Sequence, residues 1–479
     1  MAASYFFYDL ETSGIDSRNS RIMQFAGQRT DLNLNPIGEP ENLHIKMTPD
    51  ILPDPDAVLL TGITPQETFR EGLTEAEFLR YFTGEIATAQ TVFVGFNTVR
   101  FDDEFMRFLH YRNFYDAYEW QWRDQRSRWD MLDVVRLTRA LRPDGIKWPF
   151  DAKGKPTNRL ELLTGMNGLS HEHAHDALSD VYATIEVARM IRSKQERLFE
   201  YLFEMRDKKK VAALVDSGQP FVYTSGRFSS EFEKTTVVAK VCDAPKKQGS
   251  FVFDLRFDPR EYADLSAEQL ADKWRWKKDS EEPRLPIKVL AYNKCPAVAP
   301  LGVLDDASKE RIKLDMQLVR QHAAALAAMP SDFTNRLCRA AEIIEKHMQT
   351  TFLADERHVD GQLYDGFIPD HDKQIMSVIR AAAPNDISEL QGDLSDPRLQ
   401  ALLPLYKARN FPRTLSGEER EVWDAYCKKQ LLHGGQHSRM ARFLARLQDI
   451  AAKDNLTDHQ SYLLEELKLY AESIMPEQD

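Results

Sequence analysis

Near the start of the chain stands Tyr5-Phe6-Phe7-Tyr8-Asp9-Leu10-Glu11-Thr12, an apolar run that predicts a strand buried on both faces. Two acids interrupt it, and a buried charge needs a compensating partner. Residues two apart on a strand point to the same side, so Asp9 and Glu11 would present both carboxylates to one point. Such oxygen ligands suit Mg²⁺ or Mn²⁺ better than zinc. A metal site is therefore one interpretation. The other is an exposed strand end with one acid capping the Thr12-Ser13-Gly14 turn.

Two further acidic clusters follow within the first 190 residues. After a second buried-looking run at 91–96, the chain turns into a predicted helix with Asp102 at or near its start. Exposed amides and the helix dipole favour a carboxylate there, so capping alone would explain this acid. The third cluster, at 173–180, leads into a helical apolar pattern and contains His175 and Asp180. A single His beside a helix start is more often a capping residue than a catalyst, but this one is accompanied by acids.

In order and spacing these residues resemble the DEDDh branch of the 3′→5′ exonucleases, whose motifs are Asp-x-Glu, a single Asp and His-x(4)-Asp. The motif positions are filled here by Asp9, Glu11, Asp102, His175 and Asp180. The chain is also similar to the bacterial exonuclease I family over nearly its whole length. That similarity rests on Arg-Leu-Glu at 159–161, Asn-Gly at 167–168, Ala-His-Asp-Ala at 174–177, Asn-Lys-Cys-Pro at 293–296 and Ala-Arg-Asn-Phe-Pro at 408–412.

Length and pattern both predict about three domains. Apolar patterning predicts strands at 4–12, 21–30, 42–48 and 91–96, with helices near 74–88, 100–113, 129–141 and 176–195. Short strands follow between 220 and 303, and from Ser308 onward the pattern is helical. The resemblance implies a ribonuclease H-like α/β domain with a mixed sheet, an SH3-like β-barrel and an all-helical C-terminal domain. We place these at 1–195, 196–351, which includes a helical extension, and 352–479.

The resemblance also implies catalysis by two Mg²⁺ ions, for which Mn²⁺ can substitute. Phosphodiester hydrolysis needs an activated water and a neutralised leaving oxygen, and paired metals supply both. Asp9, Glu11, Asp102 and Asp180 are the predicted ligands, and Glu11 is also expected to contact the substrate. His175 is the predicted general base, because imidazole titrates near neutral pH. Within the family pattern, Asp9 would bridge both ions. The adjacent Asp103 and Asp176 are decoys that should not be ligands.

Aromatic rings alternate with arginines between 111 and 129, a composition that suits an unpaired strand. About half of the rings should instead be core, with Phe114 and Trp129 the leading candidates. The predicted substrate contacts, matched to family positions or chosen for charge, are Arg107, Tyr118, Trp122, Arg136, Arg159, Lys208 and Lys294. A guanidinium fork fits a phosphate, but a surface ion pair with Glu161 is the alternative for Arg159. A solvated charge run is the alternative for Lys208.

Composition excludes several classes of protein. The net charge of −12 does not exclude a nucleic-acid enzyme, because a basic groove can be local on an acidic surface. No apolar run approaches the roughly 20 residues of a membrane span, and no signal sequence is visible, so we expect a cytoplasmic protein with no membrane association. Cys242, Cys295, Cys338 and Cys427 are scattered, which predicts four reduced thiols and argues against a zinc site.

These observations predict a single-stranded-DNA-specific 3′→5′ exodeoxyribonuclease that releases 5′-mononucleotides in DNA repair and recombination. The resemblance implies processive action by a monomer and docking of the single-stranded DNA-binding protein through its acidic C-terminal tail. One alternative is an RNA 3′ exonuclease or a proofreading module, but both need only about the first 190 residues. The other is a non-catalytic single-strand-binding scaffold, and retention of all the motif residues counts against it.

Overall fold

The computed structural model describes residues 3–171, 176–245, 249–275, 284–353, 358–453 and 455–476, with backbone only for 348–353. The chain forms two compact units. The first unit comprises Met1–Ser127, Glu172–Tyr182 and Arg357–Asp479, and the second comprises Arg128–His171 and Ala183–Glu356. The C-terminal helical region therefore belongs to the same compact unit as the first strands. The domain boundaries given above stay a prediction.

The strands of the described residues are β1 (Ser4–Thr12), β2 (Ile22–Thr30), β3 (Glu41–His44), β4 (Thr91–Gly95), β5 (Ser127–Asp130), β6 (Phe221–Thr224), β7 (Thr235–Asp243), β8 (Ser250–Asp254), β9 (Ile287–Leu290) and β10 (Ala297–Pro300). Every strand predicted from sequence is present, although β3 is shorter than predicted. No pattern predicted β5 or β10, each of which has only 4 residues.

The first helices are α1 (Pro55–Thr61), α2 (Pro65–Glu71), α3 (Glu75–Tyr81), α4 (Asp102–Arg112), α5 (Met131–Leu141), α6 (Leu160–Asn167), α7 (Ala177–Lys194), α8 (Glu196–Glu204) and α9 (Lys208–Val215). The later helices are α10 (Ala267–Trp274), α11 (Asp306–Arg311), α12 (Met316–Ala327), α13 (Phe333–Leu353), α14 (Asp370–Ala381), α15 (Pro397–Asn410), α16 (Gly417–Leu432), α17 (Arg439–Ala451) and α18 (Asp458–Ser473). Among the described residues, none of these helices has both the length and the apolar character that a membrane crossing requires.

The first unit contains a mixed sheet in which β3, β2, β1 and β4 lie side by side. β1 pairs antiparallel with β2 and parallel with β4, so the predicted mixed sheet is confirmed. Both faces of β1 are covered, which explains its continuous apolar sequence. Phe6, Phe25, Phe82 and Phe93 pack in one aromatic core beneath α3 and α4. The acids at the end of β1 therefore sit on a rigid support.

The second unit contains an antiparallel sheet with the order β10-β6-β7-β8-β9. Its strands bury a core that includes Phe221, Val238, Val252 and Val298. β7 is the longest of these strands, and its pairing with β8 shifts register between Lys240 and Cys242. The predicted region of short strands is thus confirmed as one antiparallel sheet.

The C-terminal helices pack on the α4 region within the first unit. Phe108, Tyr111 and Phe114 share one apolar cluster with residues of α14 and α15. The rings of Phe114 and Tyr406 meet edge to face, 5.2 Å apart. Phe114 and Trp129, predicted as core rings, are both buried. The α14–α15 region therefore shares one core with α4 and the residues that follow it.

Buried ion pairs reinforce this contact. Arg21 Nη2 lies 2.6 Å from Asp360 Oδ2, and Arg409 Nη2 lies 2.7 Å from Asp50 Oδ2. Arg409 also donates to Asp360, with Nη1 2.9 Å from Oδ1. Because a charge is costly to bury alone, each of these groups depends on the others. Residues of the first 50 positions and of the C-terminal region thus complete one network.

Candidate metal centre and active site

β1 carries Asp9 and Glu11 beyond the point where β4 stops pairing with it. The β1–β4 register runs from Ser4↔Thr91 to Phe7↔Val94, whereas β2 continues to pair opposite both acids. β4 ends at Gly95, and a Cβ there would lie 2.0 Å from the Thr98 methyl carbon and 2.8 Å from Tyr8 O. Only a glycine allows the chain to turn this closely past β1. The turn leads directly to α4 and brings its first residue towards the acids of β1.

Two helix N-termini supply further carboxylates. α4 begins at Asp102, as predicted, and this side chain is buried. Asp180 lies in the first turn of α7 and is half-buried. The exposed amides and the dipole at a helix N-terminus favour negative charge, which helps to hold acids at both places.

The carboxylates of Asp9, Glu11 and Asp180 converge. Their candidate ligand oxygens all lie within 4.8 Å of one another. Burial, and then repulsion from Asp102, Glu11 and Asp180, raises the pKa of Asp9 well above its ordinary value. Burial, followed by repulsion from Asp180 and Asp102, raises the pKa of Glu11 to about 9. These electrostatics place Asp102 beside the cluster as a fourth acid, and the repulsion extends to Asp176 as well.

The residues present fit a divalent cation. Like charges at this separation need a positive partner, and a set made only of carboxylate oxygens suits Mg²⁺ or Mn²⁺. The two predicted decoys have other partners: Asp103 Oδ1 accepts from Tyr8 OH at 2.6 Å, and Asp176 Oδ1 accepts from the backbone N of Ser179 at 2.9 Å. His175, the predicted general base, lies outside the described residues.

The first unit contains three of the predicted strand contacts. Tyr118 and Trp122 expose 41% and 62% of their surface, so both rings are available to a base. Arg107 is buried, and its Cζ lies 5.4 Å from the centroid of the Tyr118 ring. The Arg107 guanidinium contacts Glu104, and its Nη2 lies 3.3 Å from Gln121 Oε1. In this arrangement Arg107 orients the Tyr118 ring.

Sequence analysis missed Tyr364, which lies in the C-terminal part of the first unit. Its hydroxyl donates to Glu104 Oε2, and Glu104 in turn pairs with Arg107. Burial and the Glu104 carboxylate raise the pKa of Tyr364. Tyr118 also hydrogen-bonds to Tyr364. A contact 260 residues distant along the chain leaves no periodic signal, so no sequence pattern could have revealed it.

The remaining predicted contacts lie in the second unit. Arg136 Nη1 lies 2.7 Å from Asp133 Oδ1. Arg159 is paired with Glu161, as the alternative interpretation expected, although its side chain is two-thirds exposed. Lys208 is the exposed first residue of α9, and Lys294 is exposed in the turn between β9 and β10. That turn is held by Arg128, whose Nη2 donates to Asn293 O at 2.7 Å. The predicted DNA contacts of all these residues stay predictions.

Comparison with known proteins agrees with this fold and site. The Exonuclease family model matches residues 6–188, the Exonuclease I SH3-like domain matches 206–340 and the Exonuclease I C-terminal domain matches 357–474. A mixed sheet with clustered acids and this match define an enzyme of the exonuclease class.

Similar proteins narrow the class. Exodeoxyribonuclease I of Haemophilus influenzae is 40% identical over 435 residues, which cover 89% of this chain and 90% of that protein. E. coli exonuclease I in complex with a dA16 oligonucleotide is 36% identical with a TM-score of 0.91, covering 99% of this chain and 100% of that one. An exonuclease I solved with SSB and the inhibitor CFAM is 34% identical with a TM-score of 0.87, and the match again covers 99% of this chain and 100% of that one. The chain belongs to the exonuclease I family.

Proposed function

We propose that this protein is a single-stranded-DNA-specific 3′→5′ exodeoxyribonuclease that releases 5′-mononucleotides in DNA repair and recombination. The observation that carries the proposal is the convergence of the carboxylates of Asp9, Glu11 and Asp180 at the end of β1. Asp102 lies close enough to Asp9 to repel its charge. The DNA substrate is supported by the name of the H. influenzae relative and by the oligonucleotide bound to the E. coli neighbour.

The proposed site holds two divalent ions, and its ligands would be Asp9, Glu11, Asp102 and Asp180. We propose that both ions are Mg²⁺ and that Mn²⁺ can replace them. When bound, such ions lower the pKa of a bound water and neutralise the leaving oxygen. β1 and the two helix N-termini keep the acids in place before substrate arrives, so little reorganisation is needed. His175 is proposed to accept the proton of the attacking water. Glu11 is also proposed to face the terminal nucleotide.

Strand binding is proposed to use exposed rings and cations. Tyr118 and Trp122 would stack on bases, because every base has a π-face and stacking tolerates any sequence. Arg107 would keep Tyr118 in position, while Arg136, Arg159, Lys208 and Lys294 would follow phosphates. A phosphate could replace Glu161 as the partner of Arg159, because a fork of donors binds either anion.

We also propose processive digestion by a cytoplasmic monomer and docking of the single-stranded DNA-binding protein through its acidic tail. The residues after 195 make up more than half of the chain, and the hydrolytic acids do not need them. The neighbour solved with SSB supports this partner. Fluorescence anisotropy with a tail peptide should show binding that weakens as salt rises, because charge pairs at a surface are screened.

The decisive experiment compares neighbouring acids. Asp102→Asn should lower the rate of nucleotide release from a 5′-labelled DNA oligonucleotide by at least about a thousandfold, a loss of roughly 4 kcal/mol in transition-state stabilisation. Asp103→Asn is the matched control, because an amide oxygen can still accept from Tyr8. Asp180→Asn should abolish cleavage and retain strand binding. Equal rates in the Asp102→Asn and Asp103→Asn proteins would refute the site.

Substrate class and end preference need separate assays. Oligonucleotides of the same sequence, made of DNA or of RNA and labelled at either end, should show that DNA is degraded and that nucleotides are lost from the 3′ end. The same DNA in a duplex should resist degradation. Faster loss of RNA would instead support the RNA exonuclease alternative. Chelation by EDTA should stop hydrolysis, and added Mg²⁺ or Mn²⁺ should restore it.

A further inference from the structure

A second group of side chains that could hold a metal lies at the β3 edge of the same sheet, two strands from β1, where His44 pairs with Gln24 and Gln24 pairs with Glu11. His44 is the last residue of β3, and Glu67 and Glu71 lie on α2. One candidate ligand atom from each of the three lies within 4.8 Å of the other two. Residues four apart share one face of a helix, so both glutamates can point at the imidazole. The set combines one nitrogen with two carboxylate oxygens.

The backbone holds these side chains in register. Leu73 N donates to His44 O at 2.9 Å, and Lys46 N donates to Leu73 O at 2.8 Å, so the chain after α2 is bonded to the end of β3. Gly72 permits this approach, because a Cβ there would lie 2.4 Å from Thr68 O and 3.1 Å from His44 O. Strand and helix are therefore fixed to each other through backbone bonds, and the ligand set does not depend on a mobile loop.

The spacing is close to what an ion needs. Ligands about 2.0–2.2 Å from a tetrahedral zinc ion lie roughly 3.4 Å from one another. His44 Nδ1 and Glu71 Oε2 are 4.0 Å apart, so this pair must contract by about half an ångström, and the pairs with Glu67, which lie within 4.8 Å, by at most about 1.4 Å. Glu71 can supply that movement, because its side chain is 64% exposed, whereas that of His44 is 16% exposed.

We propose that His44, Glu67 and Glu71 bind a divalent transition-metal ion, with Zn²⁺ preferred to Mg²⁺. Imidazole suits zinc, and three protein ligands leave a fourth position for water. The ion would tie α2 to the edge of the sheet. α2 also contacts α18, where Gln66 Nε2 donates to Glu466 O at 2.6 Å. The ion would therefore stabilise the region where the sheet edge and the last helix meet. This inference does not rest on the proposed nuclease activity.

The test uses the full chain carrying Asp180→Asn, which weakens the other acidic cluster, and compares His44→Gln with His433→Gln. His433 follows α16, is exposed and serves as the matched control. Zn²⁺ binding is followed by calorimetry, and Co²⁺ binding is followed by visible absorption. We expect the His44→Gln protein to bind one equivalent of Zn²⁺ fewer and to lose the Co²⁺ absorption of a nitrogen-containing site, with both retained in the His433→Gln protein.

Thermal unfolding provides a second readout that needs no activity. Micromolar Zn²⁺ should raise the unfolding midpoint of the Asp180→Asn protein, because an ion that binds only the folded state stabilises it. The Glu67→Gln and His44→Gln changes should remove this increase. Equal Zn²⁺ stoichiometry in the His44→Gln and His433→Gln proteins, or binding only at millimolar Zn²⁺, would overturn the proposal.

Discussion

Replacing Arg409 by Met should destabilise the first unit strongly, because it removes the cation between two buried carboxylates. Arg409 Nε and Nη2 lie 3.2 and 2.7 Å from Asp50 Oδ2, and its nitrogens lie 2.9 and 2.8 Å from the two oxygens of Asp360. The side chains of Arg409, Asp50 and Asp360 are 5%, 1% and 3% exposed. Water therefore cannot take the place of the guanidinium.

The expected loss of folding free energy depends on the partners that Asp50 and Asp360 keep when Arg409 is replaced. Asp360 keeps Arg21, but among the described residues Asp50 keeps only the hydroxyl of Thr48 as a hydrogen-bond donor to its side chain. Breaking a buried pair by removing one partner costs about 3–5 kcal/mol. Arg446→Met is the matched control, because Arg446 on α17 and Asp56 on α1 likewise join a C-terminal helix to the first part of the chain but are 42% and 53% exposed. An exposed pair of this kind contributes at most about 1 kcal/mol.

Urea unfolding followed by circular dichroism would measure both changes as shifts of the midpoint at constant slope. A second signature is the pH dependence. Burial opposes ionisation of Asp50 and Asp360, but the guanidiniums of Arg409 and Arg21 outweigh it, so the pKa of Asp50 is lowered and that of Asp360 lies well below its ordinary value. This contribution is complete above the unfolded-state pKa of about 3.9 and is lost as pH falls through the folded-state values.

The Arg409→Met protein should therefore show a shallower loss of stability in acid than the native protein. Equal urea midpoints for the Arg409→Met and Arg446→Met proteins, with parallel acid profiles, would refute the reasoning. They would mean that the network can relax or admit water at no cost.

Three other predictions concern the site, the rings and the glycines. Because the pKa of Glu11 is raised to about 9, folding in EDTA should weaken as pH rises from the unfolded value of about 4.5 through 9, and Glu11→Gln should flatten that profile in thermal unfolding. Trp122→Ala should weaken binding of an unpaired oligonucleotide without loss of stability, whereas Trp120→Ala should cost about 3–5 kcal/mol in urea unfolding, since Trp122 is 62% and Trp120 3% exposed. Gly27→Ala should cost about 1–3 kcal/mol, because its Cβ would lie 2.4 Å from a ring of β1, whereas Gly165→Ala, on a helix with open space, should stabilise by roughly 0.5–1 kcal/mol.

Local patterns predicted the elements that are long enough to show a period. β1 and β4 were identified from their apolar runs, and α4 and α7 from their spacing and their acidic starts. α1 and α2 were missed because each has only 7 residues, too few for a helical period. A signal was nevertheless present, because Asp54-Pro55 and Thr64-Pro65 each place a capping residue before a proline at the first helical position.

The candidate site was predicted as far as residue types and spacing allow. Alternation along β1 predicted that Asp9 and Glu11 share one side, and the tertiary structure brings Asp180, also a predicted ligand, within 4.8 Å of them. The environment of Arg107 was only partly predictable, because Glu104 lies one helical turn away on α4, whereas Tyr364, which bonds to Glu104, lies 260 positions along the chain. The same holds for the His44 group, in which α2 is aligned with β3 by backbone bonds across Gly72.

The sequence alone predicted whether each motif lies on a strand or on a helix, because the spacing of apolar side chains in strands and helices is a local property of the chain. It also supplied the acids from which a cation site can be built. The tertiary structure alone determined which charged side chains form ion pairs inside the first unit. Arg409 contacts Asp50 across 359 positions of the chain, and no local rule specifies a pair that only burial in a common core brings together.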